Sequence, residues 1–317
     1  MAPLLMQWNC RGLLKNLDDI EFLLEEHRPQ VLCLQETHLN ANNTNFLRRY
    51  QVFRKDRPNS IASAGGVALV LPTEVSSTEV HLYTPLEAVA VRVLLHKTIT
   101  ICSLYIPPTY TLKSADLNLL IDQLPEPFIL MGDFNSHNPL WGSARRDVRG
   151  KIIESILLSR TLCLFNTGEG TYFSSSHLST TCIDLSIGTA TLFPTFSWHV
   201  VPNPYGSDHF PIILKCTAPS TPLMKRSPRW KIEKANWGEF ETASEIIPET
   251  LVGLGVNDAC KLLTTTIVKA AEKTVPQSST RLPTKPKPWW TEECSETRKQ
   301  QNHAWDVVRK YPTVQML

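Results

Sequence analysis

The succession of short apolar runs in residues 1–216 is the feature that most limits the possible fold. Each run has the length and the aliphatic content of a buried strand. The predicted strands are Leu4–Trp8, Val31–Gln35, Gly66–Leu71, Ala88–Leu94, Thr98–Tyr105, Phe128–Met131, Cys182–Ile187, Phe196–Val201 and Phe210–Lys215. The amphipathic stretches between them predict helices over Leu17–Glu26, Ser114–Leu124 and Gly150–Arg160. Many strands and few helices predict an α/β fold, with mixed sheets stacked face to face and helices outside.

The composition changes after the last of these runs, which predicts a domain boundary there. Thr217–Pro228 is rich in proline, serine and threonine and is typical of a linker. Beyond it, Asp258–Thr274 and Glu292–Lys310 have the pattern of helices. We therefore expect one domain over residues 1–216 and a mainly helical connector over residues 217–317.

Overall composition is that of a globular protein, with 42% apolar and 20% charged residues. The net charge of +2 is too small to indicate a nucleic-acid partner. Eight cysteines without any Cys-x-x-Cys pair favour free thiols in a reducing compartment over disulfides or zinc. We see neither a signal peptide nor an apolar stretch of bilayer length, so we expect no secretion and no membrane partner.

The tetrapeptide Gly132-Asp133-Phe134-Asn135 follows one of the apolar runs and indicates chemistry. Side chains two positions apart in an extended segment point the same way, so Asp133 and Asn135 can share a pocket. A carboxylate that accepts a proton and a neutral carboxamide that donates to an anion suit the hydrolysis of a phosphate ester. The alternative explanation is an Asx-turn after a strand.

Other polar side chains also stand at or near the ends of predicted strands. They are Asn9, Glu36, Tyr105, Asp184, Asp208 and His209. Each one alone has an ordinary explanation, such as a surface carboxylate, a turn former or a core histidine. Strand ends that meet at one edge of a sandwich form a cleft, so the complete ordered set favours a hydrolytic site.

Three of these residues predict a cation site. Mg²⁺ prefers hard oxygen ligands and keeps several waters, so one or two carboxylates suffice in the protein. Glu36 is the expected first ligand, and Asp208 and Asn9 complete or orient the shell. We expect Mg²⁺, with Mn²⁺ as an alternative.

The remaining residues predict acid–base and electrostatic roles. Asp133 is the candidate base for the attacking water, while Asn135 and Tyr105 donate to phosphate oxygens as charge develops on them. Asp184 beside His209 would fix the tautomer of the imidazole and raise its basicity.

Read in order, these motifs resemble the endonuclease/exonuclease/phosphatase superfamily. The matching segments are Trp8-Asn9-Cys10-Arg11-Gly12, Gln35-Glu36-Thr37, Tyr105-Ile106-Pro107-Pro108, Gly132-Asp133-Phe134-Asn135, Ile183-Asp184 and Ser207-Asp208-His209. Three further segments, Ser136–Gly142, Asp147–Gly150 and Gly170–Phe173, are similar to the endonuclease domain of non-LTR (LINE-type, jockey-like) retrotransposon polyproteins. Residues 217–317 look like the connector that precedes the reverse transcriptase in such polyproteins.

This resemblance implies a four-layer α/β sandwich and Mg²⁺-dependent nicking of double-stranded DNA, which leaves a 3′-hydroxyl that primes reverse transcription. It also implies DNA contacts by Thr171 and Ser207, to which we add Arg11. No polymerase motif is present, so the element RNA would be a partner only through a missing reverse transcriptase. The expected location is nuclear at the point of action and cytoplasmic after synthesis.

Three alternatives remain open from the sequence. An abasic-site repair endonuclease and a phosphomonoesterase acting on inositol phosphates or sphingolipids share the same metal and acid–base core. The stretch from His137 to Trp141 and the connector favour the retrotransposon enzyme over both. A nucleic-acid-binding module without catalysis is disfavoured because clustered, uncompensated carboxylates repel DNA phosphates.

The polar stretch of residues 174–181 joins two probable strands and predicts a hairpin-like protrusion beside the site. It contains no arginine or lysine for bidentate base contacts, so direct readout through it would be poor. We expect the protrusion to bias nick position through DNA shape instead. An exposed turn without DNA contact is the alternative.

Overall fold

The computed structural model describes residues 3–44, 47–57, 65–95, 97–217, 230–277 and 292–310. The chain divides into two compact units, and the first consists of Met1–Thr221 together with Lys287–Leu317. The second is Pro222–Pro286. The predicted boundary after residue 216 stays a prediction, and the last helix groups with the first unit.

Along the described residues the chain forms many strands and few helices. In order they are β1 (Leu4–Asn9), α1 (Leu17–His27), β2 (Val31–Gln35), β3 (Tyr50–Lys55), β4 (Val67–Pro72), β5 (Ser77–Val80), β6 (Glu87–Leu94), β7 (Thr98–Tyr105), α2 (Ser114–Asp122), β8 (Phe128–Asp133), α3 (Val148–Ser159), β9 (Leu162–Leu164), β10 (Tyr172–Ser174), β11 (Ser179–Thr181), β12 (Asp184–Thr189), β13 (Phe196–Val200), β14 (Ile212–Cys216), α4 (Trp237–Ser244), α5 (Val256–Thr274) and α6 (Glu292–Lys310).

Two mixed six-stranded sheets form the middle of the first unit. Their strand orders are β13-β14-β1-β2-β4-β3 and β5-β6-β7-β8-β12-β9. One apolar core lies between the sheets and contains Leu5 of the first and Ile129 of the second. A second core joins α2 and α3 to the second sheet, and a third joins α1 to the first. The fold is therefore the predicted four-layer sandwich.

Alternation of side chains explains how one strand serves two cores. Leu5 of β1 faces the core between the sheets, whereas its neighbour Met6 faces the core under α1. Strands buried on both faces read as continuous apolar runs, which is why the sequence marked them clearly. On the helix side, Ile20, Leu23 and Leu24 of α1 are buried with the spacing of one helical face.

Three of the four strands at the edges of the two six-stranded sheets were missed by the sequence analysis. β3 forms one edge of the first sheet, and β5 and β9 form the two edges of the second. β5 is the polar Ser-Thr-Glu-Val, polar residues interrupt the apolar ones in β3, and β9 is only three residues long, so none of them shows an apolar run of strand length. The predicted hairpin over residues 174–181 is confirmed, since β10 and β11 pair antiparallel across it.

The second unit contains α4 and α5, which contact each other. The predicted helix over Asp258–Thr274 is confirmed by α5, while α4 was missed. Residues 218–228 of the predicted linker lie outside the described residues. Across the part of the chain that the structure describes, none of the helices combines the length and apolar character needed to cross a bilayer.

Candidate active site

The strand register brings the predicted site residues to one edge of the sandwich. In the second sheet Asp133, the last residue of β8, pairs with Tyr105 at the end of β7 and with Asp184 at the start of β12. In the first sheet Asn9 ends β1 opposite Gln35, and Glu36 follows directly. Neighbouring strands that end or begin at this edge therefore bring together side chains from five separate segments.

Asn9 connects the two sheets at this edge. Its buried Nδ2 donates to Glu36 Oε1 at 2.9 Å and to Asp133 Oδ2 at 3.0 Å. The same nitrogen lies 3.4 Å from His209 Nε2. The carboxamide thus fixes the spacing between the predicted cation ligand Glu36 and the predicted base Asp133.

Asp184 and His209 form a buried pair. His209 Nδ1 lies 2.8 Å from Asp184 Oδ2, which also accepts a hydrogen bond from Thr171 Oγ1 at 2.7 Å. The other carboxylate oxygen of Asp184 accepts from Gln7 Nε2 at 3.2 Å. Because the carboxylate only accepts, Nδ1 must carry a proton, and Nε2 faces Asp133 Oδ2 at 3.9 Å.

Burial and neighbouring charges shift the pKa values of this cluster. Burial raises the pKa of Asp133 to about 7, against the opposing charge of His209. Burial alone would lower the pKa of His209, but the charge and hydrogen bond of Asp184 outweigh it and raise that pKa to about 10. Burial, followed by the charges of Glu36 and Asp133, raises the pKa of Tyr105 well above its ordinary value. The phenol therefore stays a hydrogen-bond donor.

The side chain of Asn135 contacts Asp133 as expected, but the backbone that places it there is a turn and not an extended strand. β8 ends at Asp133, and Asn135 adopts the left-handed region with φ of 45°. This turn brings its Nδ2 to 3.0 Å from Asp133 Oδ2 and to 3.2 Å from Ile106 O. The shared pocket is confirmed, but the prediction of an extended segment through Asn135 was wrong.

Arg149 holds two loops of the site together; the sequence analysis included it in the segment Asp147–Gly150 but gave it no role. Its guanidinium donates to backbone carbonyls on both sides. The acceptors are those of Ile106, Pro107, Pro108, Tyr110, Phe134 and Asn135. Arg149 follows the helix N-cap Asp147, whose side chain accepts from the amide of Gly150. The planar fork of arginine suits this many acceptors, which lysine could not match.

Ser207, Asp208 and His209 lie in the loop between β13 and β14. Ser207 Oγ donates to Asn9 O at 2.8 Å, and the indole of Trp8 donates to His209 O at 2.9 Å. Asp208 pairs with the exposed Arg11 at 2.7 Å. The loop is thus attached to the end of β1, where Asn9 lies.

Gly132 allows the close approach of β7 and β8 beside Asp133. A Cβ atom at this position would lie 1.9 Å from Leu104 O and 2.7 Å from Leu104 C. Real Cβ contacts are never this short, and backbone atoms in a strand pair cannot move aside. The glycine of the tetrapeptide is therefore required by packing.

The predicted contact of Thr171 with DNA stays a prediction. In the structure Thr171 is fully buried, and its hydroxyl donates to Asp184 and accepts from the amides of Ile183 and Asp184. Tyr172, the next residue, places its ring 4.9 Å from the ring of His209 and was not predicted. Gln7 was also missed, although a polar residue inside an apolar run is a signal of a buried hydrogen bond.

Among the described residues, one group of three acidic and histidine side chains could hold a cation, and Glu36 is a separate candidate ligand. Asp133, Asp184 and His209 have ligand atoms within 4.8 Å of one another, but Asp184 is already occupied by three donors. Glu36 is partly exposed, and its Oε2 lies 3.4 Å from Nε2 of His38. Because a hard cation keeps several waters, the more open carboxylate of Glu36 fits it better.

Comparisons with known proteins agree with this geometry. Residues 99–213 match the protein family described as Endonuclease-reverse transcriptase. Over 280 residues the chain is 25% identical to the RNA-directed DNA polymerase from mobile element jockey of Drosophila melanogaster, covering 86% of this chain and 30% of the relative. The chain thus spans less than a third of that curated relative.

Solved structures share the fold of the first unit. The endonuclease domain of TRAS1, a telomere-specific non-LTR retrotransposon, superposes with a TM-score of 0.58 at 18% identity, covering 68% of this chain and 98% of that domain. The AP endonuclease LMAP from Leishmania major gives a TM-score of 0.55 at 15% identity, covering 68% of this chain and 88% of that protein. These structures, the relative and the family match agree. The chain contains a nuclease domain of the endonuclease/exonuclease/phosphatase superfamily, of the type found in non-LTR retrotransposons.

Proposed function

We propose that this chain hydrolyses a phosphodiester bond in double-stranded DNA, using Mg²⁺, and leaves a nick with a 3′-hydroxyl. In a longer protein of the jockey type this hydroxyl would prime reverse transcription, and element RNA would be engaged only by the polymerase part. The substrate would be nuclear DNA, reached after synthesis in the cytoplasm. One observation carries the proposal: Asn9 joins Glu36, Asp133 and the Asp184–His209 pair at a single edge.

Asp133 is the proposed proton acceptor for the attacking water. Its carboxylate already receives the side chains of Asn9 and Asn135, so its oxygens are held in fixed directions. A pKa near 7 matches the task, since a base works best when its pKa lies near the working pH. Asn135 and Tyr105 would donate to the non-bridging oxygens of the phosphate.

His209 would stabilise the negative charge that builds up around phosphorus. Asp184 holds Nδ1–H, which leaves the Nε2 side of the ring for the substrate. The raised pKa means that the ring carries a proton and a positive charge at neutral pH. A preorganised cation beside the developing charge lowers the barrier without any reorganisation of solvent.

Glu36, Asn9 and Asp208 would hold the metal ion. When bound, Mg²⁺ or Mn²⁺ would polarise a phosphate oxygen and neutralise charge on it. The donor set is composed of oxygen ligands, as a hard cation requires. Arg11 and Ser207 are the proposed contacts to the DNA backbone.

The abasic-site alternative is supported by the likeness to an AP endonuclease at nearly the same TM-score. The test is a nicking assay of the full chain on supercoiled plasmid with Mg²⁺, with and without EDTA, beside a duplex that carries one abasic site. We expect metal-dependent conversion to the open circle, with ends that a DNA polymerase extends. Cleavage of the abasic duplex alone would identify a repair enzyme, and DNA binding without cleavage would leave only a binding module.

A further inference from the structure

The last helix of the chain, α6, presents one face to the nuclease unit. Arg298, Asn302 and Trp305 contact residues of Met1–Thr221, and their spacing of four and three positions places them on the same side of a helix. The exposed residues Gln300 and His303 lie on other faces. α6 is thus amphipathic with respect to this unit.

Trp305 packs against the core between the two sheets. Its ring lies edge-on to Phe173 with 5.7 Å between ring centroids and edge-on to Phe210 with 6.3 Å. Phe173 is the neighbour of Tyr172, whose ring lies against His209, and Phe210 directly follows His209. The indole therefore contacts two residues that are adjacent in sequence to the imidazole of His209 or to the tyrosine packed against it.

Arg298 makes the second contact. Its guanidinium pairs with Asp19 of α1 at 3.0 Å, and its Cζ lies 5.1 Å from the ring centroid of Phe22 and 5.0 Å from that of Tyr205. A guanidinium between an acidic and two aromatic side chains combines ion pairing with cation–π attraction. It ties α6 to Tyr205, which lies in the loop after β13.

Asn302 makes the third contact, with the buried Asn203. The Nδ2 of Asn203 donates to Asn302 Oδ1, while its own Oδ1 accepts from the amide of Tyr205 at 2.8 Å. Tyr205 is in the left-handed region with φ of 55°, a conformation that a large side chain adopts only when its surroundings hold it. The amide of Asn302 thus supports a strained turn.

These three contacts share one target. Asn203, Tyr205 and Phe210 all belong to the segment between β13 and β14, and that segment carries Asp208 and His209. We propose that α6 is a positioning element of the nuclease, which holds this segment so that Asp208 and His209 stay in register with the strand ends. The inference rests on the proposed function for its effect on rate, but not for the contact itself.

A helix that only added stability would lower the melting temperature and leave the turnover of the folded enzyme unchanged. A positioning helix has a different effect, because small displacements of a catalytic group cost rate while substrate binding is retained. The two roles are therefore separable by kcat and KM measured well below the melting temperature, together with hydrogen exchange of the loop amides.

The experiment uses the full chain with Trp305→Ala, the conservative Trp305→Phe and the control Gln300→Ala on an exposed face of α6. We expect Trp305→Ala to speed hydrogen exchange of the amides of residue 203 and residues 205–210 about tenfold. We also expect it to lower kcat for plasmid nicking about tenfold, with KM nearly unchanged. Trp305→Phe should recover most of both effects, since the edge-on aromatic contacts persist.

Exchange and kcat of Trp305→Ala equal to those of Gln300→Ala would overturn the inference. If Trp305→Ala does not fold, Asn302→Ala takes its place with the same expected direction, because it leaves the aromatic packing intact. Should the unmodified chain fail to nick, the proposed function fails, while the exchange data still decide whether α6 holds the loop. Faster loop exchange with unchanged kcat would reduce α6 to a purely stabilising helix.

Discussion

Asp133 and Asp184 lie directly opposite each other on the antiparallel strands β8 and β12, and both side chains are buried. Like charges in this arrangement destabilise a strand pair unless hydrogen-bond donors surround them. Here the donors are divided, because Asn9 bonds Asp133, whereas His209 and Thr171 bond Asp184. The two neighbouring carboxylates therefore suit different roles: Asp184 holds the imidazole of His209, and Asp133 is the proposed proton acceptor.

Removing the hydroxyl of Thr171 should therefore destabilise the fold. In Thr171→Val the carboxylate of Asp184 loses a donor, and the amides of Ile183 and Asp184 lose their acceptor. We expect the free energy of unfolding in urea to fall by about 2–4 kcal/mol, the scale of unpaired buried polar groups. Thr171→Ser keeps the hydroxyl and serves as the control. Equal stability of the two variants, with a higher KM in the valine variant, would instead indicate the predicted DNA contact.

Replacing Glu36 by alanine should abolish metal-dependent nicking. The carboxylate is the least replaceable oxygen ligand of the proposed cation site, so the variant should bind Mg²⁺ poorly and lose about 10²-fold or more in rate. Glu79→Ala, an exposed carboxylate on β5, is the matched control. A titration of rate against Mg²⁺ provides the measurement. Full activity at low millimolar Mg²⁺ would place the cation elsewhere, with the group formed by Asp133, Asp184 and His209 as the next candidate.

Asp133→Asn and His209→Ala should lower turnover far more than DNA affinity. Both side chains act on charge that develops only in the transition state, so we expect kcat to fall about 10²-fold or more. Affinity for an uncut duplex, measured without metal, should change little. A large loss of affinity with unchanged kcat would make both residues DNA-binding groups.

Arg149→Lys should lower kcat while the fold survives. An ammonium has three donors and no planar fork, so it cannot bridge the carbonyls of Ile106 and Asn135 at the same time as the others that Arg149 engages. We expect about a tenfold loss of kcat from the displaced loop, read in the nicking assay beside the exposed Arg145→Lys. Unchanged kinetics would show that the loop keeps its position without the guanidinium.

Shortening the β10–β11 hairpin should redistribute nicks. Ser175, Ser176 and His177 are its exposed tip, whereas Leu178 packs against the core and should be retained. Replacing the three tip residues by a single glycine shortens the hairpin and leaves the metal core intact. Total turnover should therefore persist, while the nick positions on a defined plasmid shift. An unchanged pattern at an unchanged rate would assign the tip no part in choosing the phosphate.

The clustering of the candidate site residues could be predicted in part, because most of them stand at or beside the end of an apolar run. Asp133 and Tyr105 stand at the ends of strands buried on both faces, and such strands identify themselves by composition alone. The carboxyl and phenol groups then had to meet, since neighbouring strands share an edge. Local pattern was sufficient for this part.

What could not be predicted depends on partners far away in sequence. Arg149 acts through backbone carbonyls, which leave no pattern of residue types. The polar Gln7 inside an apolar run indicates a buried hydrogen bond, but its partner Asp184 lies across the gap between the sheets, and that contact exists only once both sheets are stacked. The docking of α6 follows from single contacts such as that of Arg298 with Asp19, at a separation of 279 residues.

Gly132 has a consequence for judging genomic copies of elements that carry this domain. A search for lost catalytic side chains alone would overlook a change at this glycine. Because a Cβ at this position collides with the main chain of Leu104, any substitution should push β8 away from β7 and move Asp133 out of line. A copy with every carboxylate preserved and alanine at position 132 should therefore lack nuclease activity, although the altered residue performs no chemistry.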